Sequence, residues 1–376
     1  MTAPTRDHSR SIRIHVHLRG ADVALMPSMG PAEIWYFIAH SDLPPEDELP
    51  SWCIRVTPLS AVRRIFATQA NTIEIPEPLW ARFLPTGLTL MLAARFARVA
   101  TGTPKRTVFY ALENNEPEQA LFGDARLPAV LRKIFVRLLG WLESALVDRV
   151  AFGSPSARKA YENMRSFRAK ESLVLTELPA RPDNIGLAEE PATHDGSESR
   201  STRGRALFVG GLEYRKGVQP LLDAWERVER VLPEATITVV GSGPLEDTVT
   251  RWAALRPIHR THLGQVPHSD LAEHYASADV LVAPSVRDGR WREQIGLQLR
   301  ESLSHGLTLV ATDETGLADW LGQNGHQVVP AAEVHSSLAP AIVAAMTSPI
   351  PRNIVKRSLP RVDGRVAADA WLHGNA

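Results

Sequence analysis

In the second half of the chain, short apolar runs alternate with segments whose apolar positions recur every three to four residues. The series begins with the run "ALFVGG", the segment "GVQPLLDAWERVERVLP", the run "ATITVVGSG" and then "LEDTVTRWAAL". It continues through "THLGQV", "HSDLAEHYASA", "DVLVAPS", "IGLQLRESLSHG", "LTLVAT" and "GLADWLGQN". Such alternation is the signature of βα units on a parallel sheet, so this half is predicted to be a doubly wound α/β domain. The first half is less regular. In "SIRIHVHLRG", Ile12, Ile14, Val16 and Leu18 alternate with Arg13, His15, His17 and Arg19, which predicts a strand with one polar face. The runs "NTIEIPEP", "RTVFYALENN" and "DRVAFGSPSARKAYENM" read as strands feeding turns or helices, so this half is expected to be α/β as well. Between the halves, "EEPATHDGSESRSTRGR" is polar and has no apolar period, as a linker would be. These patterns predict an N-terminal domain over 1–188, a linker over 189–204, a C-terminal domain over 205–350 and a helical tail over 351–376.

Composition sharpens this picture in three places. A chain of 376 residues is too long for one ordinary core and fits two domains. Lys and Arg number 42 against 42 Asp and Glu, so no global field draws the chain to nucleic acid or to an anionic membrane, any basic site must be local, and no nucleic-acid partner is expected. The single cysteine, Cys53, cannot form an internal disulfide, and "MTAPTRDHSRS" has no apolar stretch of the kind a signal peptide needs; a cytoplasmic location is expected. The best span candidate, "FLPTGLTLMLAARFARVA", holds Pro85 and is cut by Arg95 and Arg98. His15 and His17 have an H-x-H spacing with no further Cys or His cluster beside it, so no metal site is expected. The segment "LPAVLRKIFVRLLGWLESALVDRV" mixes Arg132, Lys133 and Arg137 with large apolar residues at helical spacing. It has two readings: a long helix packed in the first domain, or a peripheral contact with an anionic membrane.

Candidate chemistry gathers where a parallel sheet binds ligands, beyond the carboxyl ends of its strands. The run "DVLVAPS" leads into "VRDGRWREQI", and Gly296 opens the next helix, where free N–H groups suit a phosphate. Glu293 falls in that loop and Glu301 about one turn into the helix; acceptor-only carboxylates suit sugar hydroxyls. Taken alone, the pair reads as readily as a solvated loop residue and an exposed helix charge. A second element shifts the balance: in "FVGGLEYRKGV", Gly210 and Gly211 form an open turn, and Lys216 precedes a helix starting on the same side of the sheet. A lysine there can neutralise a diphosphate leaving group.

With "FVGGLEYRKGVQPLLDAW", "ITVVGSGPLED", "LGQVPHSDLAEHYASADVLVAPS" and "REQIGLQLRESLSHGLTLVATDETGLADWL" in order, the chain resembles the donor half of the retaining GT-B glycosyltransferases. The resemblance covers roughly Ala206 to Leu321 and includes that family's two glutamates separated by seven residues, here Glu293 and Glu301. It implies two Rossmann-like domains facing each other across a cleft, an acceptor-binding N-terminal domain and a nucleotide-sugar-binding C-terminal domain. It implies that Glu293 contacts the transferred sugar and Glu301 the ribose, with Lys216 on the diphosphate beside the N–H groups around Gly296 and Leu297. Gln294 and Ile295 complete the donor segment. The donor expected is a hexose on uridine or guanosine diphosphate, transferred with retained configuration to an acceptor hydroxyl, with no metal and no cofactor.

The chain departs from that pattern at several positions. The family usually has an arginine where Gly211 stands, so Arg215 is the candidate replacement. Gln294 stands where glycine is common. No histidine marks the acceptor side; "FYALENN" instead offers Glu113, Asn114 and Asn115 at a strand end, either to bind acceptor hydroxyls or assist proton transfer, or as an Asn-rich turn with a capping role. Two other readings accompany the transferase: a nucleotide-sugar epimerase on the same fold, and a nucleotide-sugar-binding module without turnover. The acceptor itself is not named by the sequence.

Overall fold

The computed structural model describes residues 8–40, 43–182 and 204–374. The predicted linker, apart from Gly204, lies outside the described residues. The chain divides into two compact units, one formed by Met1–Thr176 with Gly364–Ala376 and the other by Glu177–Asp363.

The first unit is built on seven parallel strands: β1 (Ser11–Leu18), β2 (Glu33–Ala39), β3 (Cys53–Arg55), β4 (Thr72–Glu74), β5 (Arg106–Ala111), β6 (Arg149–Phe152) and β7 (Glu171–Val174). Their order is β3-β2-β1-β4-β5-β6-β7, which reverses direction between β1 and β4. The helices are α1 (Gly20–Leu25), α2 (Pro58–Ala67), α3 (Leu84–Thr101), α4 (Pro117–Phe122), α5 (Ala129–Leu146) and α6 (Pro155–Asn163). The segment with mixed Arg, Lys and apolar residues is thus the long helix α5, packed on α3 and α4. The span candidate is α3, and among the described residues no helix is long and apolar enough to cross a membrane.

In the second unit the sheet is again wholly parallel, with strands β8 (Arg205–Val209), β9 (Thr236–Val240), β10 (Arg260–His262), β11 (Val280–Ala283), β12 (Thr308–Thr312) and β13 (Gln327–Val329) in the order β10-β9-β8-β11-β12-β13. Its helices are α7 (Val218–Val231), α8 (Glu246–Ala254), α9 (Leu271–Ser277), α10 (Leu297–His305), α11 (Ala318–Gln323), α12 (Val334–Thr347) and α13 (Arg352–Ser358). β11 and β12 are buried along their whole length, because helices cover both faces of a parallel sheet and every side chain meets a packed layer. On α7, Val218, Leu221, Leu222, Trp225 and Val228 recur at helical spacing and are buried. That stripe seats the helix on the sheet.

The last helix, α14 (Gly364–His373), returns to the first unit, and it overturns one expectation. The alternation in β1 predicts a polar face toward solvent, yet Arg13 is buried. β1 lies mid-sheet, and α14 supplies what the guanidinium needs: Arg13 Nε donates to Asp369 Oδ1 at 2.6 Å, and its Nη2 donates to the Gly30 carbonyl at 2.8 Å. Glu74 joins the same group, accepting from Arg365 at 2.6 Å and pairing with His373 Nε2 at 2.8 Å. Burial alone would raise the Glu74 pKa, but Arg365, His373 and Arg13 outweigh it and hold the carboxyl well below the usual carboxylate range. Glu74, Asp369 and His373 offer ligand atoms within 4.8 Å of one another, the one such group among the described residues. Two guanidinium groups already take up its acidic oxygens, so the cluster reads as an ion network fastening α14 to β1 and β4.

Candidate functional site in the second unit

β8 ends at Val209, and the chain turns through Gly210 and Gly211 into the short Tyr214–Lys216 turn. Gly217 follows with a φ of 72° and so close to the loop after β11 that an added Cβ would lie 1.8 Å from the Pro284 carbonyl oxygen. Only glycine fits there. The close approach carries Lys216 from the end of one strand to the loop beyond another.

Lys216 Nζ donates to Glu293 Oε2 at 2.5 Å. Glu293 is 8% exposed, and the same oxygen accepts from Ser285 Oγ at 3.2 Å. Two residues separated by 77 positions thus form one part-buried ion pair at the carboxyl ends of the strands. Trp291 forms a wall: Arg215 Cζ lies 4.5 Å and Lys216 Nζ 4.9 Å from its ring centroid. Arg215 also donates to Glu213 at 2.5 Å, and that hydrogen bond, with the guanidinium's charge, outweighs burial to lower the Glu213 pKa.

The loop that holds Glu293 is pinned from behind. Gly316 N–H donates to the Gln294 carbonyl at 2.7 Å, and Thr315 Oγ1 donates to that of Ile295 at 2.8 Å. Arg292 pairs with Glu314 at 2.7 Å. Gly296 caps α10 with a φ of 92°, and Gly306 ends the helix in a left-handed conformation at 79°. One turn in, Glu301 accepts from Tyr275 Oη at 2.7 Å, and His268 Nε2 lies 3.4 Å from its other oxygen. Burial, and then the Glu301 carboxylate, raise the Tyr275 pKa, so the phenol stays a donor. His305 stacks on Tyr275 with ring centroids 5.3 Å apart.

The structure therefore brings Lys216 against Glu293, sets Arg215 beside them through Trp291, and fixes Gln294, Ile295, Gly296 and Leu297 as one continuous segment. Glu301 sits in its own group with Tyr275 and His268. Sequence reasoning passes over Ser285, Trp291, Tyr275, His268 and Glu314. Trp291 stood inside the loop under scrutiny, where a large aromatic among three arginines signals stacking. Tyr275 had no signal, since it comes from a different helix.

Glu113 and Asn114 lie in the first unit, just beyond β5. Glu113 Oε1 accepts from both the backbone N–H and the side-chain amide of Asn115 at 2.8 Å, so it closes its own turn. Behind it stands Glu77, absent from the sequence reading. It accepts from the Leu112 and Glu113 amides and from Tyr161 Oη. Burial and then the Glu113 charge push its carboxyl up to about 8, against those three donors.

Residues 203–348 match the family model described as glycosyl transferases group 1. The match covers the second unit's site segment and not the rest of the chain. The group 1 segment contains every candidate residue of the second unit. Over 205 residues the chain is 27% identical to a glycogen synthase of Mycobacterium tuberculosis, covering 51% of this chain and 47% of that one. Over 241 residues it is 27% identical to the phosphatidyl-myo-inositol mannosyltransferase of the same organism, covering 63% and 60%. The chain thus spans about half the length of the curated relatives it matches. Anabaena Alr3699/HepE, solved in complex with UDP, superposes with a TM-score of 0.62 at 14% identity, covering 96% of this chain and 95% of that one. A trehalose-phosphate synthase from Burkholderia vietnamiensis gives 0.60 at 14%, covering 97% of each. At these identities the likeness establishes the fold, which is GT-B, with two parallel-sheet α/β units.

Proposed function

We propose that this chain is a retaining glycosyltransferase that moves a hexose from a nucleoside diphosphate, uridine or guanosine, to an acceptor hydroxyl in a reducing, cytoplasmic setting. The observation that carries this reading is the part-buried Lys216–Glu293 pair within the group 1 segment, beside the glycine-capped start of α10. A cation and a run of free N–H groups meet a carboxylate at one place. A diphosphate needs the first two, and a sugar's hydroxyls need the third.

In this account the donor's diphosphate competes for Lys216, with Arg215 beside it and the amides of Gly296 and Leu297 beneath. Glu293, relieved of its lysine, accepts hydrogen bonds from the sugar, and Glu301, oriented by Tyr275, accepts from the ribose. The bond from the anomeric carbon to the diphosphate oxygen breaks while the acceptor oxygen bonds to that carbon on the same face. The acceptor's proton passes to the departing diphosphate, whose growing charge is met by Lys216 and Arg215. These side chains supply the positive charge, so the reaction is proposed to need no metal. The curated relatives named above are called by sugar polymer and lipid acceptors, and a glycan or lipid-linked hydroxyl is the acceptor class proposed here.

A thermal-shift screen against nucleoside diphosphates and their sugars tests the donor reading. At a hundred times its Kd, the correct donor stabilises the fold by about 2.7 kcal/mol, which raises the melting temperature of the second unit by roughly 5–10 °C. Glu301→Gln should weaken that donor about 10-fold or more through loss of charged acceptors. No shift with any nucleoside diphosphate would remove the basis of the proposal.

A further inference from the structure

We propose that Glu314, through its ion pair with Arg292, positions Glu293 and Trp291 for sugar transfer by anchoring the loop between β11 and α10. The inference rests on the transfer reading and adds to it two residues that act through Glu293 and Trp291.

β11 ends at Ala283 and α10 starts at Leu297, so Glu293 lies on a loop. A side chain placed there is aimed only as well as the loop's backbone is held. β12 runs beside β11, in register from Val280 against Thr308 to Ala283 against Ala311, so the loops leaving the two strands start side by side. Residues 292–295 of the first loop are tied to residues 313–316 of the second. The carbonyls of Gln294 and Ile295 accept from Gly316 N–H and Thr315 Oγ1, and these ties are neutral. The tie on Arg292, directly before Glu293, is charged: its Nε pairs with Glu314 Oε2 at 2.7 Å, and its Nη2 donates to the Asp313 carbonyl at 3.0 Å. A planar guanidinium gripped at two points is fixed in direction as well as distance.

Glu314 holds more than one cation. Arg287 Nη2 lies 3.6 Å from the same carboxylate oxygen. Arg287 and Arg292 flank the small turn closed by the Asp288–Trp291 bridge, so Glu314 clasps both ends of that turn. The turn carries Trp291, whose ring lies against Arg215 and Lys216. One carboxylate from the loop beyond β12 thus sets two walls of the candidate site, the indole and the Glu293 carboxylate. The side chains of Arg292 and Glu314 are only 19% and 11% exposed, so solvent ions screen their attraction less than that of an open surface pair.

Amide hydrogen exchange of the full chain without ligand tests the anchoring by itself. Glu314→Gln keeps the size of the side chain and removes its charge, and it should speed exchange across residues 286–297 about 10-fold. With the donor found by thermal shift, the same variant should lower kcat about 10–30-fold, since a small misplacement of a reacting group is costly. Its Kd for the nucleoside diphosphate alone should stay within about two-fold, because Lys216, Glu301 and the start of α10 are intact. Glu314→Asp, which restores the charge, should recover part of the rate. Should Glu314→Gln fail to fold, Arg292→Lys keeps the charge without the two-point grip and carries the same expectations. Unchanged loop exchange or an unchanged kcat in the folded variant overturns the proposal. So does a loss of nucleoside diphosphate binding as large as the loss of kcat, which a general loosening of the unit would give. Faster loop exchange in the variant, with no nucleoside diphosphate bound by the unaltered chain, would support the anchoring and strike the transfer reading instead.

Discussion

Lys216→Ala is expected to lower kcat/KM for sugar transfer by about 10²–10³-fold, the loss typical when one preorganised charge facing a developing anion is removed. The lysine has two tasks in the proposed reaction, and alanine removes both. It meets the diphosphate as charge accumulates on the leaving oxygen, and before that it neutralises Glu293, with which it pairs at 2.5 Å. In the variant, Glu293 keeps the Ser285 hydrogen bond at 3.2 Å but sits buried with its main cation gone. The pair retains some solvent contact, so the stability loss should be about 1–3 kcal/mol, smaller than for a fully enclosed pair. Steady-state kinetics with saturating donor, alongside melting curves, separate the two effects. Lys216→Arg keeps the charge and should recover part of the rate, whereas a rate unchanged by alanine would remove Lys216 from the mechanism.

The second large effect concerns stability. Asp369→Ala should destabilise the first unit by about 3–5 kcal/mol, since it breaks a buried ion pair and leaves the guanidinium enclosed. Arg13 loses its 2.6 Å partner, and the Gly30 amide loses the carboxylate that accepts it at 2.9 Å. A unit of this size should then melt roughly 6–20 °C lower by calorimetry. The same network sets a pH dependence. Glu74 is held below its unfolded pKa, so its contribution is fully present above the usual carboxylate range and fades as the pH falls through and below that range. Glu74→Gln should lower stability at neutral pH and flatten the acid limb. A melting temperature unchanged by Asp369→Ala would show that the Arg13–Asp369 pair does not hold α14 in place.

How far the fold was legible follows from where packing information is local. In the second unit β8, β9, β11 and β12 are largely apolar runs, β11 and β12 are buried along their whole length, and α7 carries a stripe of buried apolar residues, so most of the βα series reads directly from the chain. In the first unit, β3 and β4 are three residues each, and their pairing comes from neighbours distant in sequence. The polar alternation of β1 misled for the same reason. Arg13 is partnered by Asp369, 356 positions away, and no local period announces such a contact. The site shows the same division. Gly296, Glu293 and Lys216 stand in short, chemically suggestive segments, while Ser285 and Tyr275 acquire meaning only once folding sets them against the two glutamates.

The central claim is that Lys216, Glu293, Glu301 and the start of α10 together hold a nucleotide-sugar. Crystals of the chain with the donor identified by thermal shift test it most directly. The account predicts the diphosphate on Lys216 and the Gly296 and Leu297 amides, the ribose on Glu301, and the sugar hydroxyls on Glu293. A donor bound elsewhere, with the Lys216–Glu293 pair intact and Glu301 still engaged by Tyr275 and His268, would contradict it.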